Sequence, residues 1–159
     1  VTLTIRRATA DDWREYRDIR LRALAGAPDA YGSTLAGESA FGEETWRQRS
    51  GSSYALFGML EGRAVAIAAG IPDRHEAESR EIVGMWVEPD ARGRGVAASL
   101  VEALVDWATS EQAAAIALWV SDGNETARRV YERCGFIATG QRDLVRPGLG
   151  EERMRRALS

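Results

Sequence analysis

The period of apolar positions changes several times along the chain, and each change marks an element. Thr2 to Arg7 alternates and is β-branched at its centre, which predicts a strand. Trp13, Tyr16, Arg17, Arg20 and Leu24 then recur at helical spacing, behind Asp11 and Asp12 as capping residues. Gly26 to Gly37 holds Pro28 and several small residues and reads as a loop. A shorter helix is expected over Glu43 to Arg49. Tyr54–Leu60 and Ala64–Ile71 are apolar runs joined by Glu61-Gly62-Arg63, a hairpin signal. Pro72 to Ser79 is a charged connection, and Glu81 to Val87 is the next strand. Val96, Leu100, Val101, Leu104, Val105 and Ala108 share one helical face. Ala115 to Val120 reads as a buried strand. Glu125 to Cys134 reads as a short helix that Gly135 stops. Phe136–Asp143 and Glu152–Leu158 are the last strands, joined by a loop with Pro147, Gly148 and Gly150.

The order is therefore β-α-α-β-β-β-α-β-α-β-β, an α/β (α+β) chain. Short hairpins make antiparallel neighbours, whereas the crossover from Glu81 to Val120 needs a parallel pair, so the sheet is mixed. A length of 159 residues fits one domain over 1–159.

Composition narrows the function classes. Apolar residues are 45% and charged residues 28%, as in ordinary globular proteins. The net charge of −3 lacks the basic balance of a nucleic-acid binder, although a local basic patch can still hold an anion. No apolar run is long enough to span a bilayer, and Val1 to Ala10 carries no apolar core of a signal peptide. With the single cysteine, Cys134, this predicts a cytoplasmic protein without disulfides or membrane partners. One His, one Cys and no helical ligand pair predict no metal site.

The most informative stretch is Val87-Glu88-Pro89-Asp90-Ala91-Arg92-Gly93-Arg94-Gly95-Val96-Ala97, where a strand ends and a long helix begins at glycines. A helix N-terminus has unpaired N–H groups and partial positive charge, the glycines let an anion approach the backbone, and the arginines add charge. The physical reading is a phosphate or pyrophosphate site. A plain helix start with exposed arginines is the bland alternative. Gly93-x-Gly95-x-x-Ala98 also matches a dinucleotide fingerprint, with Asp122 after the next strand as its ribose-binding acid, but the chain has room for only one β-α-β unit around it.

Arg92-x-x-Gly95-x-Ala97 resembles the Q/R-x-x-G-x-G/A signature of the GNAT superfamily of N-acetyltransferases. Met85-Trp86-Val87-Glu88-Pro89 looks like the strand end that precedes it there. Asn124-x-x-Ala127-x-x-x-Tyr131 with Gly135-Phe136 is similar to the family's second signature, and the order of elements matches over essentially the whole chain. The resemblance implies a three-layer fold with about seven strands and helices on both faces. It implies acetyl-CoA as acyl donor, a primary amine as acceptor, and direct attack in a ternary complex. Met85, Trp86 and Val87 would line the pantetheine arm, and the Val87 N–H would polarise the thioester. Arg92, Gly93, Arg94, Gly95, Val96 and Ala97 would wrap the pyrophosphate, and Asn124 would anchor the pantetheine.

By the same resemblance Tyr131 is the general acid for the departing thiolate, since a phenol has a pKa near 10 and a thiol about 8.5. Read from spacing alone, Tyr131 is a core aromatic and Asn124 a helix cap. Glu81 is the choice of base, with Glu38 and Glu88 as other candidates, and water can also take the proton. Cys134 lies on an apolar helical face with no His or acid in a nucleophile pattern beside it. His75 is expected on an exposed loop. Tyr31, Phe41, Trp46 and Trp86 could wall the acceptor, with Glu38, Glu43 and Glu44 attracting a cationic amine; a core role for the aromatics competes. A small-molecule amine is the expected acceptor, with a protein N-terminus or lysine as alternative. A non-catalytic acyl-CoA sensor is the alternative of another class. The resemblance also admits a homodimer.

Overall fold

A computed structural model describes residues 2–26 and 33–158. Strand β1 (Leu3–Arg7) is followed by helices α1 (Trp13–Gly26), α2 (Leu35–Ser39) and α3 (Glu43–Ser52). Strands β2 (Tyr54–Leu60), β3 (Arg63–Pro72) and β4 (Ser79–Val87) lead to α4 (Val96–Ser110). Then come β5 (Ala115–Ser121), α5 (Glu125–Arg133), β6 (Ile137–Arg146) and β7 (Leu149–Ala157). The strands form one seven-stranded sheet in the order β1-β2-β3-β4-β5-β7-β6, mixed in direction and with helices on both sides, as expected. No helix among the described residues is long and apolar enough to cross a membrane.

Three local expectations change. Thr9, not Asp11 or Asp12, caps the start of the first helical segment: the Thr9 backbone N–H donates to Asp12 Oδ2 at 2.7 Å, so Asp12 reaches back as a capping-box acid does. The stretch read as a loop from Gly26 to Gly37 contains α2, whose cap Thr34 accepts from the Gly37 N–H at 3.0 Å. A five-residue helix is too short to show an apolar period. The last two strands are longer than expected, which leaves Pro147-Gly148 between them. Polar residues on an exposed edge strand hide its period: β6 is exposed almost throughout.

The chain divides into two compact units, Val1–Ala69 with Gly84–Leu100, and Gly70–Val83 with Val101–Ser159. In the first, Ile19, Ala23, Leu24, Trp46 and Phe57 are fully buried. Gly58 lets α4 come close: a Cβ there would stand 2.8 Å from Val96 Cγ1. In the second, Leu104, Ile116, Leu118 and Met154 form the core. Trp107 covers Gly70, where a Cβ would stand 2.3 Å from the ring. The parallel ladder in this unit pairs Ser79–Glu81 with Ala115–Ala117. Arginines brace its sheet: Arg153 pairs with the buried Asp73 at 2.5 Å, and Arg155 with Glu76 at 2.9 Å.

Candidate functional site

The first unit carries the glycine loop. The end of β4 is fixed by the Glu88 N–H, which donates to Val65 O at 2.8 Å. The Glu88 carboxylate accepts from Arg63 and from Arg22, each at 2.6 Å. The Arg63 hydrogen bonds, followed by the charges of Arg63 and Arg22, hold Glu88 below the usual carboxylate range, which suits a structural anion better than a base. After a single turn over Pro89–Ala91, Arg92 Nε donates back to Val87 O at 2.9 Å. Arg92 is thereby tied to the end of the strand beside the loop.

Gly93 and Gly95 have φ of 77° and 78°, a region that residues with a Cβ enter only with strain. A Cβ at either position would meet nothing within 4 Å, so the requirement is conformational and the space in front of the loop is open. Arg92, Gly93, Arg94 and Gly95 are exposed, Val96 is buried and Ala97 half-buried. The Ser99 N–H is bonded to Gly95 O at 3.0 Å, so helical bonding begins at the second glycine. The N–H groups ahead of it have no partner within the helix. Open space, two arginines and a helix N-terminus fit a pyrophosphate. Met85 and Val87 are half-buried; Trp86 is buried, its ring 3.7 Å from where a Cβ on Gly26 would stand.

The second unit holds the second signature. Asn124 caps α5, its Oδ1 accepting from the Ala127 N–H at 3.3 Å, which leaves its amide N–H groups outside the cap bond. Tyr131 is buried and its ring lies 6.3 Å from that of Phe136, so it has a packing role whatever its hydroxyl does. Cys134 is buried, and burial together with Glu102 pushes its thiol up, away from the reactive thiolate. His75 is exposed and its ring lies 5.2 Å from that of Trp119.

The candidate bases are engaged. Glu81 is buried, and its two oxygens accept from Arg74 at 3.1 and 2.5 Å. Both oxygens of this carboxylate are committed to holding Arg74. Glu38 is buried too, accepting from Arg20 Nε and Nη2 at 3.0 Å each and from Arg49 Nη1 at 2.8 Å. Burial pushes it up, but hydrogen bonds from Arg20, Ser33 and Arg49 outweigh that and hold it at about 2. It therefore attracts no cationic amine. Glu43 pairs with Arg47, Glu44 is exposed, and Tyr31 lies outside the described residues.

Sequence reasoning missed two features. One is the Arg20–Glu38–Arg49 cluster, whose members lie too far apart in sequence to show a period. The other is Glu151, half-buried on β7 opposite Ser121 of β5 and Asp143 of β6. Burial and the charge of Asp143 push Glu151 up, Glu81 adds to the rise, and Arg74 and His75 oppose it. Only the position of Glu151 beside the late turn could have drawn notice to it.

The acetyltransferase (GNAT) family model matches residues 11–136. An uncharacterized N-acetyltransferase of Methanocaldococcus jannaschii is 26% identical over 139 residues, 85% of this chain; the chain spans 61% of that relative's length. An uncharacterized N-acetyltransferase of Archaeoglobus fulgidus is 28% identical over 153 residues, 93% of this chain and 97% of the relative. Among solved structures, an acetyltransferase of Salmonella typhimurium with its cofactor acetyl-CoA matches with a TM-score of 0.76 at 20% identity, covering 100% of this chain and 95% of that one.

Proposed function

The chain belongs to the GNAT family of acetyltransferases, and from that premise we propose that it moves an acetyl group from acetyl-CoA to the primary amine of a small molecule. The observation that carries the reading is the loop Arg92–Ala97: two glycines in left-handed backbone with open space before them, two arginines, and the start of a 15-residue helix. Bound acetyl-CoA would supply the acyl group as a thioester. The loop's N–H groups and Arg94 bind the diphosphate, with Arg92 held beside it by Val87 O. The backbone of Met85, Trp86 and Val87 orients the pantetheine, and the Val87 N–H donates to the thioester carbonyl. Asn124 gives its free amide N–H groups to the pantetheine. The Tyr131 hydroxyl donates a proton to the departing sulfur. With Glu38, Glu81 and Glu88 all held by arginines, water takes the proton of the amine.

Thermal melting tests the donor. A ligand at about 100 times its Kd adds roughly 2.7 kcal/mol. In a domain of this size that raises Tm by about 5–10 °C. The rise is expected with acetyl-CoA and not with NAD. No rise with acetyl-CoA overturns the proposal, and a rise with NAD alone restores the dinucleotide reading. Tyr131→Phe keeps the buried ring and removes the proton. It is expected to lower kcat by about a hundredfold or more while the acetyl-CoA melting shift stays. Equal turnover in the variant removes Tyr131 from the chemistry.

A further inference from the structure

A proton acceptor for acetyl transfer needs access to water, no cation already bound to it, and a place beside the reacting group. Glu38, Glu81 and Glu88 fail the second condition, since arginines hold all three. Glu151 on β7 meets it. Among the described residues, no hydrogen bond or ion pair reaches its side chain. The guanidinium groups on this part of the sheet are committed elsewhere. Arg74 gives Nε and Nη2 to Glu81, Arg153 gives Nη2 to Asp73, and Arg155 gives Nε and Nη2 to Glu76. Asp143, across the β6 ladder, adds a like charge; Glu81 of β4 and Arg74 and His75 of the connection before it also face Glu151.

The ladder fixes where Glu151 points and what it stands beside. Side chains alternate along a strand, and the next residue, Glu152, accepts from Arg128 of α5. Glu151 therefore projects from the opposite face of the sheet, away from α5. Glu151 and its rung partner Ser121 are half-buried and Asp143 is exposed, so water reaches the carboxylate. Ser121 O accepts from the Asn124 N–H at 3.1 Å, and Gly150 O from the Asp122 N–H at 2.9 Å. Glu151 thus stands one rung from the turn that carries Asn124, the residue proposed to hold the pantetheine. The helix that bears Tyr131 starts from the same turn, on the other face. A half-buried charge without a counterion costs stability, and burial and Asp143 add to that cost. Proteins retain such a cost where function uses it.

We propose that Glu151 is the final proton acceptor of acetyl transfer: the water that takes the amine's proton hands it to the Glu151 carboxylate. The inference rests on the proposed function. The ammonium gives one proton through water to Glu151, and the freed lone pair attacks the thioester carbon to form the C–N bond. As the C–S bond breaks, Tyr131 protonates the sulfur. The second proton leaving the nitrogen returns to Tyr131 through solvent, and the proton on Glu151 passes to bulk water.

The test reads the group and the reaction separately. The full chain is labelled with 13C-glutamate, and the Glu151 carboxyl signal is assigned by Glu151→Gln. Its titration midpoint is expected above 4.5. A midpoint at or below 4.5 overturns the proposal, because a cation then holds the carboxylate. Thiol release from acetyl-CoA is followed with ethylamine, ethanolamine and benzylamine from about pH 5 to about pH 9. In the parent, kcat/KM is expected to rise through the Glu151 midpoint and then level. In Glu151→Gln it is expected to be about a hundredfold lower at pH 7, and to climb about tenfold per pH unit toward the amine's own pKa near 10. A variant curve with the parent's shape, lowered or not, marks a structural role at most and overturns the proposal. Thiol release with equal curves in parent and variant removes Glu151 alone and leaves the acetyltransferase reading. No release from any amine in the parent, with the melting shift by acetyl-CoA also absent, removes both.

Discussion

Among the described residues, four partly or fully buried carboxylates are claimed by arginine, and their pKa values move down accordingly: Glu38, Asp73, Glu76 and Glu88. Glu151 moves the other way, because burial and Asp143 oppose its charge and Arg74 is already committed to Glu81. An acid whose folded pKa is raised is charged at a cost in the native state. Its folded form holds a proton that the unfolded form has released. Stability therefore falls as pH rises from the unfolded value, 4.5, through the raised folded value, and the deficit persists above that. Glu151→Gln removes the deficit while keeping the shape. At pH 7 the variant is expected to melt higher than the parent, and at pH 4 to melt with it. A variant that melts lower at pH 7 shows that the carboxylate has a favourable partner and sinks this account.

At the scale of elements, two glycines on one helix and its strand do different work. Gly70 exists to let Trp107 of α4 lie on β3: an added methyl would stand 2.3 Å from the ring. Gly70→Ala is expected to cost about 1–3 kcal/mol by overpacking, lowering Tm while leaving the rise with acetyl-CoA intact. Gly95 meets no atoms, but its φ of 78° charges an alanine about 1–2 kcal/mol, and the methyl enters the open space before the loop. Gly95→Ala is expected to cost similar stability and also to cut acetyl-CoA affinity at least tenfold, read as a shrunken melting shift. If both variants keep the full shift, the loop is not the diphosphate site. The glycine loop was legible in the sequence because its chemistry is local: strand end, glycines, arginines and helix start lie within eleven residues. The long elements were legible for the same reason, since burial of one face imposes a period. Thr9 as cap, α2 and the true length of β6 were not, because polar residues at caps and on an exposed edge carry no period. The Arg20–Glu38–Arg49 cluster was less legible still. Arg20, Glu38 and Arg49 come from three separate helices, and no period along the chain joins them.

Across the whole molecule, every one of the 21 basic side chains is arginine. Guanidinium stays charged at any pH a protein survives, and its flat fork meets a carboxylate with two hydrogen bonds. The pairs Arg20–Glu38, Arg74–Glu81 and Arg155–Glu76 all have that form. Such pairs can fail only from the carboxylate side, so acid should be the weak limb of the stability curve. Glu38 sets its size. Its pKa falls from 4.5 to about 2 in the folded chain, which corresponds to about 3 kcal/mol. A lowered folded pKa means that this stability is fully present above the unfolded value and is lost as pH falls from about 4.5 through about 2. Removing one partner of a buried ion pair costs about 3–5 kcal/mol by a separate route, because the arginine is left uncompensated. Glu38→Gln is therefore expected to lose about 3 kcal/mol at pH 7, read as a Tm about 6–12 °C lower. The gap should narrow below pH 4.5 and close near pH 2, where the parent carboxylate is itself protonated. A gap that stays constant down to pH 2 would mean that the variant loses stability by the clash of its amide NH2 with the arginine donors rather than by the loss of the Glu38 charge.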